Sequence, residues 1–210
     1  MASTTSTKER ILTSALDLIY ARSYAAVGVQ EVCEHAGVKK GSFYHFFRSK
    51  RDLTLATLER QWDTVKKKIF EPCFSSTLSP LGQIEQCFVL LADFQAQIKA
   101  KTGHVYGCPF GNLATELSSH DEVIRKKIDR IFQAMEGYFE EALRKAITHG
   151  EMSARDTRAG AQTLIAYLEG SNMLAKTRNN PALIKQHGHD VVRLLAGETP
   201  VTRKLSRRSI

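Results

Sequence analysis

The chain has 210 residues, 42% hydrophobic and 25% charged, so it can bury a core and is neither a disordered tail nor a disulfide-stapled mini-fold. No apolar run approaches the roughly 20 residues needed to cross a bilayer, and four cysteines without a CxxC pair argue against a disulfide framework or a zinc site. The net charge of +8 favours a polyanionic partner only weakly, and it sits at the ends: net +3 over residues 1–60, +2 over 61–195 and +3 over the last fifteen.

Met1 to Thr7 is Ser/Thr-rich with no apolar segment behind it, so no secretory signal is expected and the chain reads as cytoplasmic. From there the pattern is helical. Ser6-x-x-Glu9 has the form of a capping box. Ile11, Ala15 and Leu18 form one stripe behind it, with Leu12, Leu16 and Ile19 alongside. After a break at Tyr24 to Gly28, short segments follow at Val29 to Ala36 and Lys39 to Phe47. Ser49 starts a long helix with Leu55, Leu58, Trp62, Val65 and Ile69 three or four apart; it is expected to stop near Pro72. Pro80 opens a helix that Thr102-Gly103 ends. Asn112 to Leu117 is a short piece, and Asp121 begins a long helix carrying Ile124, Ile128, Ile131, Met135, Phe139 and Ala142. Asp156 caps the next, running to about Asn179, and Pro181 opens the last, ending near Gly197. Thr199 to Ile210 reads as a basic tail, in which Arg203, Lys204, Arg207 and Arg208 are solvated. With no period-2 strand and no repeat, the prediction is an all-α protein of about nine helices.

Residues 28–47 carry the functional signal. Two short helices joined by Ala36-Gly37-Val38 have the layout of a helix-turn-helix, whose second helix enters the DNA major groove. Gly37 tolerates the positive φ of such a turn. Val32, Ala36, Val38, Phe43 and Phe47 make the apolar seam. Lys39, Lys40, Ser42, Tyr44 and His45, with Lys50 beyond, are left to meet phosphates and base edges.

The run Ala36-Gly37-Val38-Lys39-Lys40-Gly41-Ser42-Phe43-Tyr44-His45-Phe46-Phe47-Arg48-Ser49-Lys50 resembles the signature of the TetR family of bacterial transcriptional regulators. The resemblance spans residues 5–65 and implies a DNA-binding domain there. A ligand-sensing and dimerisation domain would occupy 66–198, with the basic tail at 199–210. It implies DNA contacts from Lys40, Gly41, Ser42, Tyr44 and Lys50; Gln30, Lys39 and His45 complete the candidate set. The sequence departs from the family pattern at Gly28 and Lys39, where family members often place a capping Thr and Ser. At 45–46 the usual aromatic–His order is reversed. Cys33 stands where the family favours a small alanine and reads as a buried small residue.

A second unusual segment is Tyr106-Gly-Cys-Pro-Phe-Gly-Asn-Leu113. Pro109 suits the first position of a helix and puts Cys108 at its N-cap, where backbone amides and the helix dipole lower a thiol's pKa. His104, if close, would act the same way. The segment, with Ala114 and Glu116, is similar to a TetR subgroup that responds to electrophiles and unsaturated carbonyl compounds, including repressors of N-ethylmaleimide reductase and of acrylate utilisation. That resemblance implies a sensor thiol at Cys108 or simple binding of a small unsaturated acid or aldehyde; an inert turn residue is the equally weighted alternative. Cys73 and Cys87 lie on or beside apolar stripes and read as packing residues.

Trp62, Phe88, Phe110, Asn112 and Tyr167 are the candidate effector-pocket residues, each also compatible with plain core packing. The last two helices are the usual dimer surface of the family: Ala159, Ala166, Gly170 and Ser171 on the eighth, and Leu183, Val191, Leu194 and Leu195 on the ninth. Together these features predict a homodimeric, sequence-specific DNA-binding regulator without cofactor, metal or membrane partner, most naturally a repressor released by an effector. A thiol enzyme using Cys108 would need a base and an orienting group, and only His104 is near in sequence. A non-regulatory architectural protein is the third class, with weak sequence preference and no small-molecule response.

Overall fold

Ser6 accepts a hydrogen bond from the Glu9 amide and starts α1 (Thr7–Ala21). The capping box is only half formed, because the Glu9 carboxylate pairs with Arg60 at 3.2 Å instead of reaching back. The computed structural model describes residues 6–197; the basic tail at 199–210 and the start of the chain as far as residue 5 lie outside them. Helices α2 (Val29–Ala36) and α3 (Lys40–Phe46) begin at Gly28 and Lys39, neither of which offers a side-chain cap. Gly37 closes α2 in the left-handed region, at φ 62°. α4 (Lys50–Val65) is capped by Ser49, which accepts from the Asp52 amide.

The long helix does not stop at Pro72. It runs on through a π-helical turn, Lys66–Phe70, and a last turn, Glu71–Phe74. Pro72 lacks the N–H of a regular helix and its ring would press on the preceding turn; the wider π-turn lies immediately before it. α5 (Pro80–Thr102) starts at the Ser79 cap and ends at Gly103, again left-handed at φ 80°. α6 (Pro109–Leu117) begins three residues earlier than its apolar pattern suggests, with Cys108 as cap. α7 (Glu122–Thr148), α8 (Thr157–Thr177) and α9 (Ala182–Leu195) complete nine helices among the described residues, with no strand. Asp121 and Asp156 cap α7 and α8, each taking two backbone amides.

Two packed regions share one core. α1 to α3 close over Ile11, Ala15, Val32, Cys33, Phe43 and Phe47, all buried. The Arg10 guanidinium on α1 clamps the turn, donating to the carbonyls of Ala36 at 2.5 Å and Gly37 at 2.8 Å. The second region packs α5 against α9 and α7 against α8. Every member of the α7 stripe from Ile124 to Ala142 is buried. Gly188 on α9 admits Phe88 of α5, whose ring would collide with any larger residue there. α4 belongs to both regions. Its far end is anchored by an aromatic cluster in which Phe70 meets Trp62, Phe74, Tyr138 and Phe139 at 5.4 to 6.1 Å. Arg51 pairs with Asp121 at 3.6 Å, and Lys127 pairs with Glu59, so α4 is tied to α7 along its length.

Candidate DNA-binding face and sensor cleft

α3 turns one face inward and one outward. Phe43 and Phe47 are buried, while Lys39, Lys40, Gly41, Tyr44 and His45 are exposed and Ser42 is half-buried. Tyr44 leaves 57% of its surface open with its ring edge-on to Phe43 at 5.1 Å, so the inner ring props the outer one. Gln30 lies on the exposed side of α2 and donates to Glu34. The exposed residues lie on α2 and α3, the two helices of the helix-turn-helix. Lys50 is placed differently. Its ammonium donates to the Tyr24 carbonyl at 2.5 Å and stands over the Tyr24 ring at 4.0 Å. Burial holds its pKa below the ordinary lysine value. It braces the loop before α2 as well as facing the surface.

That loop is also held from the far side of the molecule. Glu116 on α6 accepts hydrogen bonds from the Tyr24 amide at 2.8 Å and the Ala25 amide at 2.7 Å. Tyr20 on α1 reaches the opposite end of α6: its hydroxyl donates to the Gly107 carbonyl and accepts from the Gln95 amide at 2.9 Å. Gln95 closes the cluster by bonding both the carbonyl and the amide of Gly107. Burial drives the Tyr20 phenol far above its usual pKa, so it stays a neutral donor. Two contacts therefore join α1 and the loop after it to the two ends of α6. Neither is legible in the sequence, because Tyr20 and Gly107 are 87 positions apart and Tyr24 and Glu116 are 92 apart.

Cys108 is the N-cap of α6, and its sulfur accepts from the Gly111 amide at 3.4 Å. The expected low pKa does not follow. Burial raises the thiol well above its ordinary value, and the neighbouring Glu169 carboxylate on α8 raises it further; the Gly111 and Phe110 amides oppose them more weakly. The helix N-terminus is thus outweighed by desolvation and a like charge. Burial also lifts Glu169 itself, to about 7. Gly111 is required by this contact, since a Cβ there would meet the Glu169 carboxylate. His104 is exposed, its ring nitrogen 3.1 Å from the Thr102 carbonyl, and does not assist. Cys108 and Glu169 open onto a cleft of ≈530 Å3 between α6 and α8, rimmed by Asn112, Met173 and Lys176. Cys87 hydrogen-bonds the Cys73 sulfur in the buried contact between α5 and the end of α4.

Of the five candidate pocket residues, the fold brings Trp62 and Phe110 together and does not bring all five to one cavity. Trp62 packs edge-on to Phe70 and Phe110, Phe88 fills the space above Gly188, and Tyr167 lies against His187 of α9 at 6.0 Å. Their aromatic surface packs in the core, the alternative that helical spacing leaves open for each of them. Phe110 borders a small void of ≈30 Å3. Asn112 does face the cleft, its amide donating to Tyr106 and accepting from Lys176 at 3.1 Å. On the predicted dimer face, Ser171, Val191 and Leu195 are buried within the chain. Ala159, Ala166 and Leu194 remain exposed, as does Met173, at 63%. No group of residues arranged to hold a metal occurs among the described residues, and no described helix is long and apolar enough to cross a membrane.

The all-helical fold and the cationic second helix of its helix-turn-helix define a DNA-binding transcriptional regulator. A family model described as bacterial regulatory proteins, tetR family, matches residues 11–57, and one described as tetracyclin repressor-like, C-terminal domain, matches residues 87–188. The chain belongs to the TetR family. It is 31% identical to an uncharacterized HTH-type regulator from the lacX 3′ region of Lactococcus lactis, over 81% of this chain and 83% of that one. It is 30% identical to the transcriptional regulator AcuR of Cereibacter sphaeroides, over 82% and 78%. The crystal structure of Escherichia coli NemR in reduced form superposes with a TM-score of 0.78 at 25% identity, covering 92% of this chain and all of that one. The family and these relatives are transcriptional regulators, not enzymes.

Proposed function

We propose that this chain is a cytoplasmic homodimeric repressor that holds operator DNA with α2 and α3 and lets go when the segment from Gly107 to Gly111 is displaced at Cys108. The observation that carries the reading is the hydrogen bond from Tyr20 of α1 to the carbonyl of Gly107, the residue beside the thiol. A group added at Cys108 has to lodge against Glu169 and Gly111. The short cap shifts, Gly107 moves with it, and α1 loses its buried partner. Since Arg10 of the same helix clamps the recognition turn, a shift of α1 reaches α3 directly. The DNA-binding residues in this reading are Gln30, Lys39, Lys40, Gly41, Ser42, Tyr44 and His45, with Lys50 bracing the loop. The effector is a small α,β-unsaturated carbonyl compound. Its β-carbon forms a bond to the sulfur, and the thiol proton ends on the α-carbon. Kinship with NemR, which is named a repressor, supports the direction of control.

The test is operator release by N-ethylmaleimide, followed with intact-protein mass on the same sample. Loss of DNA binding in step with one adduct at Cys108, absent in Cys108→Ser, is the expected result. Release from Cys108→Ser at the same dose would refute the thiol mechanism. A second reading, reversible seating of a small unsaturated acid in the cleft, is favoured by the raised thiol pKa and by Lys176 at the rim. It predicts release without any change in protein mass.

A further inference from the structure

We infer that a second cavity, enclosed by α1, α4 and α6, is a binding site for a small uncharged molecule with an apolar body and one carboxamide-type head, and that Gln61 recognises the head. The cavity measures ≈280 Å3; it shares Asn112, Thr115 and Lys176 with the cleft described above but is not lined by Cys108 or Glu169. The apolar part of its wall is Leu16 and Ile19 of α1, Leu58 of α4, and Leu113 of α6. The charged and polar groups on its wall are already engaged. Thr57 donates within its own helix, Glu116 holds the Tyr24 and Ala25 amides, Arg22 bonds Glu31 and the Ala26 carbonyl, and Lys176 donates to Asn112, whose own amide donates to Tyr106.

Gln61 is different. It is 5% exposed, and its amide makes no hydrogen bond to any described residue. No enclosed polar side-chain atom among the described residues lacks a partner, so the Gln61 amide is open to space rather than sealed in protein. That space is this cavity and an adjoining one of ≈490 Å3; Leu16, Tyr20 and Gln61 border both. A buried primary amide with both donors and its acceptor unspent is matched by a group that offers the reverse pair, which a carboxamide does. The ionised groups on its wall, Arg22, Glu116 and Lys176, already hold protein partners, so a charged ligand would have to break those contacts to offset its own desolvation. Because α1 and α4 belong to the DNA-binding half and α6 to the sensing half, an occupant sits across the joint between them.

Benzamide is the probe, with toluene as the same body without the head and benzoate as its charged counterpart. The isotope-labelled full chain is titrated with each and followed by NMR. Expected is saturable binding of benzamide that shifts the Gln61 side-chain amide and the backbone amides of Leu16, Ile19 and Leu113. Toluene and benzoate should bind about tenfold or more weaker. Gln61→Leu should erase the benzamide preference while keeping toluene, and Leu113→Trp, which fills the cavity, should abolish both. The toluene comparison needs no variant, so it stands if Gln61→Leu fails to fold. Cys108→Ser should bind benzamide unchanged, which separates this site from the thiol reading. Shifts centred on the cleft at Glu169, equal affinity for benzoate, or undiminished benzamide binding by Gln61→Leu would overturn the inference.

Discussion

Cys108 shows how two local effects compete at one atom. The helix N-terminus favours its thiolate, but burial and the Glu169 carboxylate favour the thiol, and they prevail. Replacing Glu169 with Gln removes the like charge. The thiolate fraction then rises, while a less basic sulfur is less nucleophilic, so alkylation at pH 7 should speed up by about threefold for each unit the thiol falls. Timed N-ethylmaleimide labelling measures this. Glu169 also makes stability depend on pH. Its carboxyl titrates at about 7 in the folded chain against an ordinary 4.5, so the folded state holds the proton more tightly. Its cost is therefore absent below pH 4.5, grows as pH rises through that window, and is complete above 7. We expect Glu169→Gln to stabilise the protein by about 2 kcal/mol at pH 8 and by little at pH 4.5, read from denaturant melts at both. Tyr20→Phe tests the link beyond the thiol. Cys108 should still be alkylated, but operator release should lag behind modification. Release in step with modification would show that the hydroxyl transmits nothing.

At the scale of the element, α2 and α3 illustrate geometry standing in for chemistry. Neither has a side-chain cap, and the turn between them is held by Arg10 and by the left-handed Gly37. A Cβ at position 37 would meet both a disfavoured backbone conformation and the Arg10 guanidinium at 2.8 Å. Gly37→Ala should therefore cost about 1–2 kcal/mol and weaken operator binding through loss of the clamp, seen as a lower Tm and a raised Kd. On the outer face, Lys40→Ala should reduce the slope of log affinity against log salt by about 1 without changing the preferred operator, as expected for a phosphate contact. Tyr44→Ala should instead lower the discrimination between operator and random DNA. α4 is the element that spans the molecule. Its π-turn and its aromatic anchor on α7 let the helix run past Pro72, so the DNA-binding half is attached to a fixed support rather than to a free linker.

For the whole molecule, the exposed apolar surface on α8 and α9 predicts association. Met173 and Leu194 are large apolar side chains that face outward there, beside the exposed Ala159 and Ala166. Met173→Glu should give a monomer in sedimentation and lose operator affinity, because two half-sites are no longer read together. A variant that stays dimeric would move the interface elsewhere.

Much of this architecture is legible in the sequence because its causes are local. The stripe from Ile124 to Ala142 fixes a helix and its buried face, Asp121 and Asp156 mark starts, and Gly37 with the run to Lys50 marks a helix-turn-helix. Each depends on residues within a few turns of one another, so spacing suffices. The end of α4 was not legible, since the π-turn that precedes Pro72 has no sequence signature. The candidate site was legible only in part. Cys108 as a cap could be read from Pro109, but its protonation state depends on Glu169, which α8 delivers from 61 positions away. The aromatic candidates Trp62, Phe88, Phe110 and Tyr167 pack against the core, and Gln61 and Asn112 border an open cavity, a placement that only packing sets. Tertiary structure alone decided which long-range partners meet: Tyr20 with Gly107, Glu116 with the loop at Tyr24, Arg10 with the recognition turn. Those contacts close on folding, when helices distant in the chain are packed side by side. The sequence by itself determined the helices and the helix-turn-helix, whose causes are local; the fold decided which distant residues meet, because those contacts form only when the helices pack.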